Sequence, residues 1–144
     1  MNEQQQAVAR ACLAGAEDGT RSFPEIVGTL AQAGFEGYAV DFRRAVATYY
    51  LPDGESLELP ARAAGAPVAA RFDGAMIEAA IREAQQQAPG YTYGGFCRKA
   101  VQAGCAGYVV SFSGRRALYI GRTAETHVEP FPDPPAGAGR PAQA

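Results

Sequence analysis

Gln32-Ala33-Gly34-Phe35-Glu36-Gly37-Tyr38-Ala39-Val40-Asp41-Phe42 returns further along the chain as Gln102-Ala103-Gly104-Cys105-Ala106-Gly107-Tyr108-Val109-Val110-Ser111-Phe112, seventy residues later and without a gap. The shared pattern is QAGxxGYxVxF. Its first part reads as the end of a helix, because a glycine after an apolar helical face supplies the left-handed residue that closes one. Its second part reads as a strand, with Tyr, Val and Phe at alternate positions and so on one face. The same offset aligns Ser22 with Thr92, Phe23 with Tyr93, Tyr49 with Tyr119, Glu55 with Glu125 and Pro60 with Pro130. Two copies are too few for a solenoid. They predict an internal duplication, folded as two similar halves about one core.

Upstream of each pattern lie two helical stretches. Val8, Ala11, Cys12 and Gly15 form a thin stripe of small residues, and Met76, Ile77, Ala80, Ile81 and Ala84 form a fuller one behind Asp73, a suitable N-cap. Pro89-Gly90 stops that helix. Ser22 and Glu25 make a capping box with Pro24 in the first turn, and Phe23, Ile26, Val27, Leu30 and Ala31 make a helical face. Tyr93, Phe96, Cys97, Ala100 and Val101 repeat that face.

Downstream, Arg43-Arg44 and Ser113-Gly114-Arg115 turn each chain half into a second strand, Val46 to Tyr50 and Ala117 to Ile120. The arginine pairs 43–44 and 115–116 fall two positions out of register, which predicts hairpin loops of different length. Third short strands are expected at Ser56 to Leu59 and Thr126 to Glu129, the latter at or near a sheet edge because Pro130 and Pro132 cannot donate to a ladder. Each half is then helix-helix-strand-strand(-strand). The fold class is α+β, with an antiparallel sheet and helices packed on one face. One domain spans residues 1–132, with copies at about 5–60 and 73–132 and a linker at 61–72, where Pro67 weakens any helix. Residues 133–144 are Pro/Ala/Gly-rich and read as a disordered tail.

Composition sets outer bounds. A chain of 144 residues, 47% hydrophobic and 19% charged, is ordinary for one globular domain. A net charge of −2 is too near neutral for bulk electrostatic binding of nucleic acid. No apolar run reaches the length of about 18 residues that a membrane span needs, and the polar start Met1-Asn2-Glu3-Gln4 does not read as a secretory signal. The expectation is therefore a soluble, cytoplasmic protein with no nucleic-acid or membrane partner. Cys12, Cys97 and Cys105 then read as reduced thiols without metal spacing. Lys99 is the single lysine, so the abundance of arginine reads as a coding bias rather than a binding site.

Two segments carry a family resemblance. Ala11-Cys12-Leu13-Ala14-Gly15 running into Ser22-Phe23-Pro24-Glu25, and Gly114-Arg115-Arg116-Ala117 running into His127-Val128-Glu129-Pro130-Phe131-Pro132, resemble the YbcV-like family of bacterial domains, often labelled "phage envelope protein". The resemblance covers roughly residues 5–132. It implies no activity and no catalytic residues. Gly94-Gly95 departs from it, standing where the first half has Pro24-Glu25.

Three constellations could carry chemistry. Glu125, His127 and Glu129 share one face if the segment is a strand, as metal ligands or as a general base, His127, oriented by Glu129. The competing reading is the solvated face of an edge strand with Val128 turned inward. Cys12, on the first helix's stripe, and Cys97, in the place of Val27, read as core residues, and Cys105, in the place of Phe35, follows a helix C-terminus, which disfavours a thiolate. Tyr38, Tyr108, Tyr49, Tyr119 and Tyr50, with Arg43, Arg44, Arg115, Arg116 and Arg122 near in sequence, suggest a pocket for a small anionic ligand. The competing reading has the tyrosines filling the sheet–helix interface and the arginines capping hairpin turns.

No P-loop, dinucleotide turn, nucleophile elbow or zinc knuckle appears in the sequence. The leading expectation is a non-enzymatic interaction or small-ligand-binding protein with no cofactor, forming a homodimer through an edge strand or the open sheet face. The alternatives are an enzyme or metalloprotein centred on His127 and Glu129, or a phage-derived structural protein.

Overall fold

Every helix among the described residues starts on a side chain that accepts from its own first turn. In the computed structural model, which describes residues 1–132, α1 (Glu3–Asp18) is capped by Asn2 and α2 (Phe23–Gln32) by Ser22, both in reciprocal capping boxes. Asp73 caps α3 (Gly74–Gln86) by accepting from the Met76 amide at 3.1 Å, and Thr92 caps α4 (Tyr93–Gln102) by accepting from the Gly95 amide at 2.9 Å. The last cap lacks a reciprocal carboxylate because glycine stands where Glu25 stands in α2. Gly34 and Gly104 follow α2 and α4 with φ of 103° and 89°, the left-handed conformation that ends them.

The strands are β1 (Gly37–Asp41), β2 (Val46–Tyr50) and β3 (Ser56–Pro60), then β4 (Cys105–Ser111), β5 (Arg116–Gly121) and β6 (Thr126–Pro130). Element order is thus helix, helix and three strands, twice. The six strands form one antiparallel sheet in the order β3-β2-β1-β4-β5-β6, and β6 is an edge strand as its prolines require. The fold is α+β. The expected disordered tail lies outside the described residues. Among the described residues no helix is long and apolar enough to cross a membrane.

The halves join where β1 pairs with β4. Tyr38 lies opposite Val110, and Val40 lies opposite Tyr108. Gly37 and Gly107, seventy apart, sit at the two ends of this seam. A Cβ on Gly37 would lie 2.3 Å from the Val110 carbonyl oxygen, and one on Gly107 would lie 2.4 Å from that of Val40. The pattern therefore keeps a glycine before its tyrosine because the other half's backbone occupies that space.

Side chains alternate across the pleat. Tyr38, Val40, Ala47, Tyr49, Leu59, Tyr108, Val110, Ala117 and Tyr119 are buried on the face that carries the helices. Leu30, Ile77 and Val101 complete the core from the helical layer. Each such side chain, fully buried, contributes about 1.5–3 kcal/mol relative to exposure. Val109 and Val128 point the other way and are 41% and 44% exposed.

The loop lengths correct one expectation. Asp41 pairs with Val46 and Ser111 with Arg116, so both hairpins hold four residues between their last pairs. Ala45 and Arg115 take the same left-handed conformation, with φ of 54° and 51°. The arginines are therefore shifted between hairpins of equal loop length, with Arg43, Arg44 and Arg115 in the loops and Arg116 the first residue of β5. Residues 61–72 form no helix or strand, and the Ala69 amide donates to the Val101 carbonyl at 2.8 Å, which ties this segment to the end of α4.

Gly37→Ala and Gly107→Ala should each destabilise the protein by roughly 3 kcal/mol, because backbone rather than a movable side chain meets the new methyl group. Gly28→Ala, in the exposed middle of α2 with open space around it, should stabilise by about 0.5–1 kcal/mol. Urea unfolding of the three variants checks both signs.

Candidate functional site

Strand register lines up five rings. Tyr49, Tyr38, Tyr108, Tyr119 and His127 come from β2, β1, β4, β5 and β6 in spatial order. Successive ring centroids are 5.4, 6.2, 5.3 and 6.3 Å apart, within the range in which aromatic pairs attract. The helical layer does not fill the space over this row. Ala16 of α1 and Ala84 of α3 face it with little bulk, and a cavity of about 690 Å³ remains between the two helical hairpins and the sheet. Tyr38, Tyr49, Tyr108 and Tyr119 form its floor, and Tyr93 and Phe96 form a wall. Phe23 and Phe131, in edge-to-face contact at 5.6 Å, bring α2 and the residues after β6 together at one side.

The floor is neutral. Burial pushes the hydroxyls of Tyr38, Tyr93 and Tyr108 well above the ordinary tyrosine range, and that of Tyr91 up to about 12. The Tyr93 and Tyr108 hydroxyls are 2.7 Å apart and share a hydrogen bond. The cavity therefore offers aromatic rings and protonated hydroxyls rather than phenolates. The thiols are also held protonated. Burial pushes Cys97 up to about 12 and Cys105 up to about 11, and raises Cys12 against the opposing pull of Arg21, whose Nη1 donates to Cys12 Sγ at 3.4 Å. All three cysteines are buried, as core residues should be.

At the end of the row, His127 and Glu129 lie on the inner face of β6, opposite Tyr119 and Ala117. Val128 faces outward, so the competing expectation for this strand had its faces reversed. His127 Nε2 lies 3.2 Å from Glu129 Oε1, which places the proton on Nε2. The other carboxylate oxygen accepts from Arg82 of α3 at 2.9 Å and from Gln85 at 3.3 Å. Burial alone would raise the Glu129 carboxyl; the hydrogen bonds from Arg82, His127 and Gln85 outweigh it and hold the group below the usual glutamate range. Glu129 lines the cavity, and His127 stands beside it against Tyr119.

Glu125 does not join them. It precedes β6, is exposed, and accepts from the Thr123 hydroxyl at 2.8 Å. Among the described residues no three His, Cys, Asp or Glu side chains are gathered closely enough to hold a metal ion. The expected arginines are elsewhere too. Arg115 stacks over Phe131 at 5.8 Å, Arg116 Nε donates to the Gly114 carbonyl, and Arg122 donates to the Val68 carbonyl. Tyr49 and Tyr119 do line the cavity, so the tyrosine half of that expectation is met by the geometry. The guanidinium on the wall is that of Arg21, which the sequence reading missed. Its signal was Gly15: a Cβ there would lie 2.6 Å from Arg21 Cγ, so a glycine in the α1 stripe marks where the arginine lies across the helix. A second signal was the offset itself. His127 and Glu129 stand seventy residues after Leu57 and Leu59, which face Tyr49 and Ala47 in the other half.

No family model matches the chain, and no curated protein matches it.

Glu129 is bonded as a carboxylate, so its contribution is present at neutral pH and disappears as pH falls through its lowered folded-state range, below the roughly 4.3 of a free glutamate. The wild-type protein should therefore be more stable than Glu129→Gln at pH 7, with the gap closing on acidification to about pH 3. Urea unfolding at both pH values tests this, and a gap independent of pH would contradict it.

Proposed function

We propose that the protein binds a small organic molecule non-covalently in the cavity between its helical hairpins and its sheet. The observation that carries this reading is the cavity itself: about 690 Å³, floored by four tyrosines and walled by Tyr93 and Phe96. That volume falls in the range of ligand pockets, which are mostly apolar with a few placed polar groups. Neutral hydroxyls and aromatic rings suit recognition of an apolar or aromatic body. Buried, protonated thiols add no nucleophile.

The enzyme reading centred on His127 draws less support. The His127 proton on Nε2 is directed at Glu129, and Glu129 is occupied by Arg82 and Gln85. A general base needs a free lone pair aimed at substrate, and His127 stands at the edge of the cavity. The small anionic ligand also draws less support, because Arg115, Arg116 and Arg122 make their contacts elsewhere. The resemblance to the YbcV-like family adds no activity to this reading.

The uncharged dye N-phenyl-1-naphthylamine, whose emission rises in apolar surroundings, tests the cavity. The wild-type protein should bind it with a Kd in the micromolar range. Ala84→Trp, which fills the cavity from α3, should weaken binding at least about tenfold while circular dichroism shows a folded protein. No binding by the wild type, or equal binding by a folded Ala84→Trp variant, would reject the reading.

A further inference from the structure

We propose that the molecule this cavity takes is an organic cation, an amine or quaternary group carried on an apolar or aromatic body. The inference rests on the ligand-binding reading above and adds the charge of the ligand. Among the described residues, the charged side chains lining the cavity are Glu17, Asp18, Glu25, Glu129 and Arg21, four carboxylates against one guanidinium. Two of the carboxylates are set into the wall rather than waving in solvent: the Glu17 side chain is 15% exposed and that of Glu129 is 14% exposed.

They occupy opposite ends of the tyrosine row. Glu129 is on β6, beside Tyr119, and Glu17 is on the last turn of α1, on the side of Tyr49. The negative charge of each reaches the nearer tyrosine and, after burial itself, helps push its hydroxyl upward. The cations that answer them stand outside the cavity lining. Arg62 gives Glu17 its backbone amide at 2.7 Å and its guanidinium at 3.8 Å, and Arg82 bonds Glu129 from the outer side of α3. Counting both still leaves the balance around the cavity negative.

Between the carboxylates lie Tyr38 and Tyr108, whose rings meet edge to face at 6.2 Å, with Tyr38 stacked on Tyr49. A carboxylate set into the wall is screened less by solvent than one in open water, so its pull on a cation is stronger there. An anion would meet the net negative lining with repulsion. A ring-lined floor with a carboxylate at each end therefore selects positive charge, and the volume selects a body larger than a metal ion or ammonium.

Tetraphenylphosphonium and tetraphenylborate are nearly the same shape and carry opposite charge, so they separate charge from fit. Isothermal titration should show the phosphonium binding at least about tenfold tighter than the borate at low salt. Glu17→Gln, which keeps an acceptor for the Arg62 amide, should reduce that ratio by weakening phosphonium binding while circular dichroism shows a folded protein. Borate binding as tight as phosphonium, or a ratio that Glu17→Gln leaves unaltered, would overturn the cation assignment. If the neutral dye binds and the phosphonium does not, the cation assignment fails and the cavity reading stands. If neither the dye nor either ion binds, both fail.

Discussion

Two carbonyl oxygens, those of Val40 and Val110, press against two glycines, Gly107 and Gly37. This reciprocal approach lets β1 and β4 pair along their whole common length and so makes one sheet from two three-stranded units. Everything on the helical face follows from that register. It sets Tyr38 and Tyr108 side by side at the centre, with Tyr49 and Tyr119 flanking them. A shift of one residue at the seam would turn all four rings to the open face.

The sheet in turn decides where the helices can rest. The two hairpins pack on the buried alternate residues of the strands. Small residues in α1 and α3, Cys12, Ala16 and Ala84, leave the floor uncovered between them. A protein interior normally closes such space. Here the rings below are already packed against one another, and the Tyr93 and Tyr108 hydroxyls satisfy each other. The floor is thus stable without a lid, which is what a preformed binding site requires.

The two halves part company at the third strand. Leu57 and Leu59 face inward from β3, whereas His127 and Glu129 face inward from β6. Two leucines need only apolar neighbours. A carboxylate set into a wall needs donors, and Arg82, Gln85 and His127 supply them. The same frame therefore gives one plain hydrophobic edge and one polar edge, and the polar edge borders the cavity.

Much of this was readable in the chain. Helix starts at Ser22 and Asp73, helix ends at Gly34 and Gly104, and strand alternation from Tyr38 and Tyr108 are local events governed by side chains within a few residues of each other. The repeated pattern also placed the tyrosines on one face. Other features depended on residues far apart in sequence. The β1–β4 pairing joins positions seventy apart, and the direction of β6 side chains follows from its register with β5. Arg21 reaches the cavity because α1 lies beneath it, and Arg115 and Arg122 leave it because Phe131 and the Val68 carbonyl hold them. Glu125 and His127 read as one cluster in the chain, but the turn before β6 separates them. Sequence spacing determines which face of its own element a side chain takes, whereas which elements meet, and what space they leave between them, is settled only when the whole core packs at once.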